Sequence, residues 1–350
     1  MNNRLLVYGA YGYTGKLIVS EALRAGLRPT VAGRHGNAIA QMSRDLGPPG
    51  ITLSLDDHEA LCRALESVDA VLHCAGPFHR TSKPMADACL ATGTHYLDIT
   101  GEINVFEALA ARDDEARQKH VMLLPGCGFD VVPTDCMAAH LASRLPDAGR
   151  LRLAFSGGGG ISRGTLNTMI DNLGEPGAIR RDGRIVPVPP AFETRKVDFG
   201  RGPWQVVTIP WGDVSTAFHT TGIPDIRVYT AVQPSAVKWL KASRHLGWLL
   251  RRRFVKQLLR AQVERKRPGP ELEVRERSSS HVWGEAVAAD GRRVAARMIG
   301  PNGYSFTATS AVAVAVRVLD GKAKAGFQTP AGLFGPDFAL ELGFTREILE

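Results

Sequence analysis

Leu5-Leu-Val-Tyr-Gly9-Ala-Tyr-Gly12-Tyr-Thr-Gly15 is the stretch whose reading decides the fold. Residues 4–8 form an apolar run of strand character, and a helical pattern starts at Thr14 and runs to Ala25, where Gly26 stands in the position that ends helices. A strand that turns directly into a helix needs glycine for three separate reasons. One glycine permits the tight turn, one lets a ligand approach the backbone, and one lets helix and strand pack closely. The first helical turn then presents free N–H groups and a partial positive charge, a seat for a diphosphate. Gly9, Ala10, Gly12, Tyr13, Thr14 and Gly15 are the candidate residues of that seat.

Working outward, the same alternation continues. Strand patterns at 30–32, 51–53, 70–74, 95–98 and 121–124 are separated by helical patterns at 37–46, 57–65, 82–92 and 104–120, with Ser82 as a start signal and Gly93 as a stop. Six strands alternating with helices predict an α/β fold. Residues 1–130 should form a doubly wound, parallel Rossmann sheet with helices on both faces. Its ligand should lie beyond the carboxyl ends of the strands. Two of those ends are informative. Strand two runs into Ala32-Gly-Arg34, and the next acid is Asp45. A carboxylate at this point would accept a ribose 2′-hydroxyl, whereas a guanidinium suits a 2′-phosphate, so Arg34 points to NADP(H). Strand four ends in Cys74-Ala75-Gly76-Pro77, small residues that let a ribose and nicotinamide approach.

After Pro125 the rhythm changes. A helix at 135–145 and strand-like runs at 151–155, 205–209, 226–229, 281–287 and 294–298 suggest a second, α+β domain over 131–325, for substrate binding or oligomerisation. An irregular tail, 326–350, is expected to pack back on the first domain.

The net charge of +8 belongs to one segment. Between Ala236 and Arg267 stand eleven Lys or Arg against one acid, Glu264, which leaves the rest of the chain slightly negative. Within it Phe254, Val255, Leu258, Leu259 and Val263 fall on one helical face. Three readings stay open: a helix packed on its own domain with a solvated charged face, a peripheral contact with anionic membrane, or a dock for an acidic partner. No recognition motif accompanies the charge, so nucleic acid is not expected. Five cysteines without a Cys-x-x-Cys pair fit a reducing compartment and give no zinc site, and no metal is expected. With no secretory signal and no apolar run of roughly 20 residues, a cytoplasmic protein is expected, membrane-peripheral at most.

The chemistry is less legible. A short-chain dehydrogenase would carry Tyr-x-x-x-Lys, but Tyr8, Tyr11, Tyr13, Tyr96, Tyr229 and Tyr304 are followed four places on by Gly, Gly, Leu, Thr, Gln and Ala. A more specific resemblance rests on Gly9-x-x-Gly-Tyr-Thr-Gly15, Ala32-Gly-Arg34, Cys74-Ala-Gly-Pro-Phe78, Gly93-Thr-His-Tyr-Leu-Asp98-Ile-Thr-Gly-Glu102 and Gly128-Phe-Asp130-Val-Val-Pro133-Thr-Asp135. Together with Gly212-Asp-Val-Ser-Thr216 downstream, these resemble the saccharopine dehydrogenase-like NADP-binding oxidoreductases, a group that includes bacterial trans-acting enoyl reductases. The resemblance implies a Rossmann domain followed by a substrate domain. Three functions are compatible with it: a reductase of an enoyl or carbonyl-like small molecule, free or carrier-bound; an imine or amino-acid reductase; and a non-catalytic NADPH-binding protein attached to membranes or partners. Asp98, Glu102 and Asp130, near the ends of strands five and six, are the candidate proton donors. Each also has a structural reading, Asp98 as a loop tie and the other two as helix caps. Arg163 and Arg227 are candidates for a substrate carboxylate. Homo-oligomerisation stays open.

Overall fold

The computed structural model describes residues 5–349, apart from the side chains of residues 243–245. Arg4, the expected first residue of strand one, lies outside the described residues. The alternation read from the sequence is present: β1 (Leu5–Tyr8), α1 (Tyr13–Arg24), β2 (Thr30–Gly33), α2 (Gly36–Leu46), β3 (Gly50–Thr52), α3 (His58–Leu65), β4 (Ala70–His73), α4 (Phe78–Thr92), β5 (His95–Asp98), α5 (Ile103–Ala110), α6 (Asp113–Gln118) and β6 (Met122–Leu124). Two helices differ from expectation. The fourth begins at Phe78 rather than Ser82, because its first amides find an acceptor elsewhere in the chain. The expected helix over 104–120 is two helices, α5 and α6, broken at Ala111 and Arg112.

Beyond β6 come α7 (Val132–Arg144), β7 (Ala148–Gly157), α8 (Arg163–Asp171), β8 (Gly177–Arg181), β9 (Arg184–Val188), β10 (Thr194–Asp198), β11 (Pro203–Thr208), α9 (Asp213–Thr221), β12 (Asp225–Ala231), α10 (Pro234–Leu250), α11 (Arg253–Glu264), α12 (Leu272–Arg277), β13 (Ser279–Ala288) and β14 (Arg293–Pro301). The chain finishes with α13 (Gly303–Arg317), β15 (Gly326–Phe327), α14 (Pro330–Phe334), α15 (Phe338–Glu341) and β16 (Thr345–Leu349). Two compact units result: residues up to Val132 together with Tyr304–Leu333, and Pro133–Gly303 together with Phe334 onward. The division differs from boundaries at 130 and 325, since Tyr304–Leu333 belongs with the first unit although it follows the second in sequence.

The first unit is built on a seven-stranded sheet ordered β15-β6-β5-β4-β1-β2-β3, in which each pairing is parallel. In β1, Val7 faces Val31 of β2 on one side and Leu72 of β4 on the other. The winding therefore reverses at β1, the place where open α/β sheets form a crevice at the carboxyl edge. Leu61, Leu65, Met85, Ala86 and Tyr96 are fully buried in the core against this sheet.

The second unit holds a mixed sheet ordered β10-β11-β12-β7-β13-β14-β16, with β8 pairing β12 and β9. Its long centre is β13, antiparallel to both β7 and β14. Gly284 of β13 is bare for a reason: a Cβ there would stand 2.6 Å from Cγ of Met137 on α7.

Candidate functional site

The elbow after β1 is tightly determined. Gly9 takes a left-handed φ of 78° and donates its N–H to the carbonyl of Ala32 at 2.8 Å, which hooks the turn onto β2. A Cβ on Gly9 would lie 2.8 Å from the backbone nitrogen of Ala75, and one on Gly15 only 2.4 Å from the carbonyl oxygen of Gly9. Those two glycines are required by the backbone itself. Gly12 sits before the first turn of α1, has no side chain to cap it, and no acid follows in that turn. The amides of Thr14 and Gly15 therefore lack an intrahelical acceptor and face the space after the strand. Tyr13 and Tyr11 are held elsewhere. The ring of Tyr13 meets Tyr304 edge-on at 5.2 Å, while Tyr11 lies over Gly33, where a Cβ would come within 2.5 Å of its ring. The elbow thus has the features a bound diphosphate demands: glycine seats, free amides and no resident carboxylate.

Arg34 emerges at the end of β2 and is exposed, with no ion pair among the described residues. Beside it the ring of Tyr11 stacks obliquely on His35 at 5.5 Å. The turn Cys74–Pro77 follows β4 next to the elbow, as the contact between Gly9 and Ala75 requires. It is held from beneath. Thr81 donates its hydroxyl to the carbonyl of Ala75 at 2.7 Å and accepts from Nε2 of His73 at 3.0 Å. Because the Thr81 proton is committed to a carbonyl, the His73 proton resides on Nε2. Complete burial, which penalises the charged ring, pushes the His73 pKa down to about 3. Burial likewise raises the Cys74 thiol, with the Asp98 carboxylate adding to the shift, so Cys74 is no nucleophile.

The three candidate acids occupy different situations. Asp98 is fully buried and accepts three hydrogen bonds, from the amides of Thr100 (2.9 Å) and Gly126 (2.8 Å) and from the hydroxyl of Tyr96 (2.6 Å). Burial nonetheless raises its pKa to about 6, the three donors opposing the shift. Glu102 precedes α5 without capping it. Its carboxylate instead spans to α4, accepting from the amides of Phe78 (2.8 Å) and His79 (3.0 Å) and lying 2.9 Å from Nδ1 of His79. This is the acceptor that lets α4 begin four residues early. Asp130 follows β6 with its carboxyl beside Gly101, and burial pushes its pKa up to about 7.

Several partners had no signature in the sequence. Thr307 accepts the amide of Phe129 at 3.0 Å, and Ser310 donates to the carbonyl of Cys127 at 2.7 Å, so α13 fastens the loop carrying Asp130. Contacts at a separation of 178 residues leave no local pattern to read. In the second unit Arg163 pairs with Glu264 at 3.1 Å and Arg227 with Glu193, so the two arginines considered for a substrate carboxylate are already matched. Of the aromatics near Gly212–Thr216, Trp211 packs on Phe155 at 4.8 Å and Phe218 lies under Arg180 at 4.2 Å.

A parallel sheet that reverses at β1, a glycine elbow and an uncapped helix start define a Rossmann-type fold. Residues 5–124, the greater part of the first unit, match the family model described as the saccharopine dehydrogenase NADP binding domain. Among curated relatives, a protein of Arabidopsis thaliana named as a saccharopine dehydrogenase-like oxidoreductase is 31% identical over 148 residues, covering 37% of this chain and 33% of the relative. One of Mycobacterium tuberculosis named as a trans-acting enoyl reductase is 34% identical over 189 residues, covering 48% and 44%. The matched region thus spans less than half the length of these relatives. Among solved structures, saccharopine dehydrogenase (L-Glu forming) of Saccharomyces cerevisiae superposes over 99% of both chains with a TM-score of 0.67 at 14% identity, a likeness of fold. No helix among the described residues is long and apolar enough to cross a membrane.

Proposed function

We propose that this protein is an oxidoreductase selective for NADP(H), acting as a reductase on an enoyl or carbonyl-like small molecule, free or presented on a carrier. The observation that carries the cofactor choice is Arg34, exposed and without an ion pair at the end of β2, where no acid stands on the turn. Gly9 and the amides of Gly12–Gly15 would hold the diphosphate, Arg34 the 2′-phosphate, and the Cys74–Pro77 turn would lie beside the nicotinamide ribose. When bound, the dinucleotide supplies the hydride. Asp98 and Glu102 are positioning residues in this reading, each spending its acceptor capacity on protein donors. Asp130 is the proton donor, since a carboxyl that keeps its proton to about pH 7 can release one at neutral pH. The enoyl assignment draws on the relative named for that reaction. The pairing of Arg163 and Arg227 with their own carboxylates speaks against an amino-acid substrate.

Fluorescence titration with NADPH and NADH, wild type against Arg34→Ala, tests the cofactor. Wild type should prefer NADPH, and the variant should lose about tenfold to a hundredfold in NADPH affinity, the range of a charge-assisted contact. Equal affinities in wild type end the NADP reading. With an enone or acyl thioester probe, turnover should be present below about pH 7 and fall above it as Asp130 ionises. In Asp130→Asn the rate should drop with NADPH affinity unchanged. A wild-type profile flat through that range removes Asp130 from the chemistry.

A further inference from the structure

The basic segment read from the sequence packs in an unexpected way. Its five apolar positions divide between two edges of α11. Val263 is buried and Val255 and Leu259 are half-buried, but Phe254 and Leu258, four residues apart on one face, are each 63% exposed. The helix is nonetheless anchored along its other edge. Lys256 donates to the carbonyl of Asp171 at 2.7 Å, Arg260 pairs with the carboxylate of the same residue, and Glu264 pairs with Arg163. Phe254 and Leu258 therefore project from a fixed helix. Just before it, near the end of α10, Trp248 is 65% exposed. Seven of the fifteen exposed large apolar side chains among the described residues fall between Trp239 and Val274, so the exposure is concentrated here.

Charge surrounds these side chains. Arg252 precedes α11, Arg253 opens it, and Arg265 and Lys266 follow it; all are exposed and have no ion pair among the described residues. Several arginines elsewhere, such as Arg112, Arg152 and Arg297, are matched to carboxylates. An unmatched cluster of cations around projecting aromatics is the pattern that anionic headgroups attract, with cations at the phosphate level and Trp or Phe at the acyl boundary.

We propose that the tip made by the end of α10 and the first turns of α11 seats this protein on an anionic lipid bilayer, through Trp248, Phe254 and Leu258 inserted beside Arg252 and Arg253, with Arg265 and Lys266 at the far end of α11 adding to the attraction. A bilayer suits these residues better than an acidic protein, because the exposed Trp248 and Phe254 match the acyl boundary beneath headgroups that attract the arginines, whereas an acidic protein would use the charge alone. A fluid headgroup layer accepts each apolar side chain wherever it falls, whereas a folded partner needs a pocket for each. Trp239 is left out. Nine residues before Trp248, it points half a turn away on α10. This seat is independent of the redox reading.

Flotation of the full chain with vesicles tests it without measuring turnover. Binding to phosphatidylcholine vesicles with about a third phosphatidylglycerol should exceed binding to pure phosphatidylcholine by roughly tenfold or more. It should weaken at about 1 M salt, where the screening length drops to about 3 Å. Two double variants, Phe254→Ser with Leu258→Ser and Arg252→Glu with Arg253→Glu, should each lose most of the binding. Both alter exposed side chains, so NADPH titration and thermal unfolding should match wild type, which separates this outcome from failure of the cofactor site. Equal binding to neutral vesicles, or either double variant floating like wild type, overturns the proposal. Retention on immobilised polyglutamate without flotation also overturns it, and assigns the surface to an acidic protein.

Discussion

Helices α1 and α4 start in similar places, each just past the carboxyl end of a parallel strand in the first unit, and their starts are finished in opposite ways. Both present unpaired amides and the positive end of a helix dipole. At α4 the chain answers with its own carboxylate, Glu102, which takes the amides of Phe78 and His79. At α1 it offers glycine and no acid. The same local physics thus yields a closed structural joint in one helix and an open anion seat in the other. What distinguishes them is a single carboxylate supplied or withheld. A helix start points to a ligand only when the protein has left it unanswered.

The comparison can be broken most severely at Gly15. Its Cβ would have to stand 2.4 Å from a carbonyl oxygen and 2.8 Å from another, both backbone. Gly15→Ala should therefore cost about 3 kcal/mol in denaturant unfolding. It should also weaken NADPH binding about a hundredfold, as the seat is displaced. Unchanged affinity would mean that the elbow is not the seat. A charge exchange sharpens the contrast with smaller effects. Thr14→Asp gives α1 the kind of acid that α4 enjoys, so the helix should gain about 0.5 kcal/mol while NADPH affinity falls about tenfold through repulsion. The converse, Glu102→Gln, should cost about 1 kcal/mol of stability and leave dinucleotide affinity alone. Should the second variant impair binding more than the first, the assignment of the two helix starts is reversed.

Much of this was legible before any coordinates. Strands β1, β4 and β6 are short apolar runs, and helical spacing ended by Gly26 and Gly93 separates the strands, so chain order carries the parallel sheet. The elbow was legible for the same reason, since its glycines answer local backbone demands. Glu102 was not. It lies at the start of α5, and nothing within its own stretch says that it caps α4, 24 residues away. Asp98 reads from the sequence as a loop tie, as its bond from the Thr100 amide bears out, but its reach to Gly126 shows only when β5 and β6 are side by side. In the second unit, β10 reads Thr-Arg-Lys-Val-Asp, a polar edge strand with only Val197 buried, and it has no apolar pattern to detect. The split of the α11 face between Val263 and Phe254 reflects where α8 happens to support it.

The first sheet ends on β15, whose Gly326 and Phe327 pair with Met122 and Leu123 of β6. A ribosome must therefore translate Pro133–Gly303, the larger part of the second unit, before it can deliver the outermost strand of the first. Until then the edge of β6 and the loop that Thr307 and Ser310 fasten lack these partners on the nascent polypeptide. Completion of the first sheet thereby waits on the synthesis of residues 133–303.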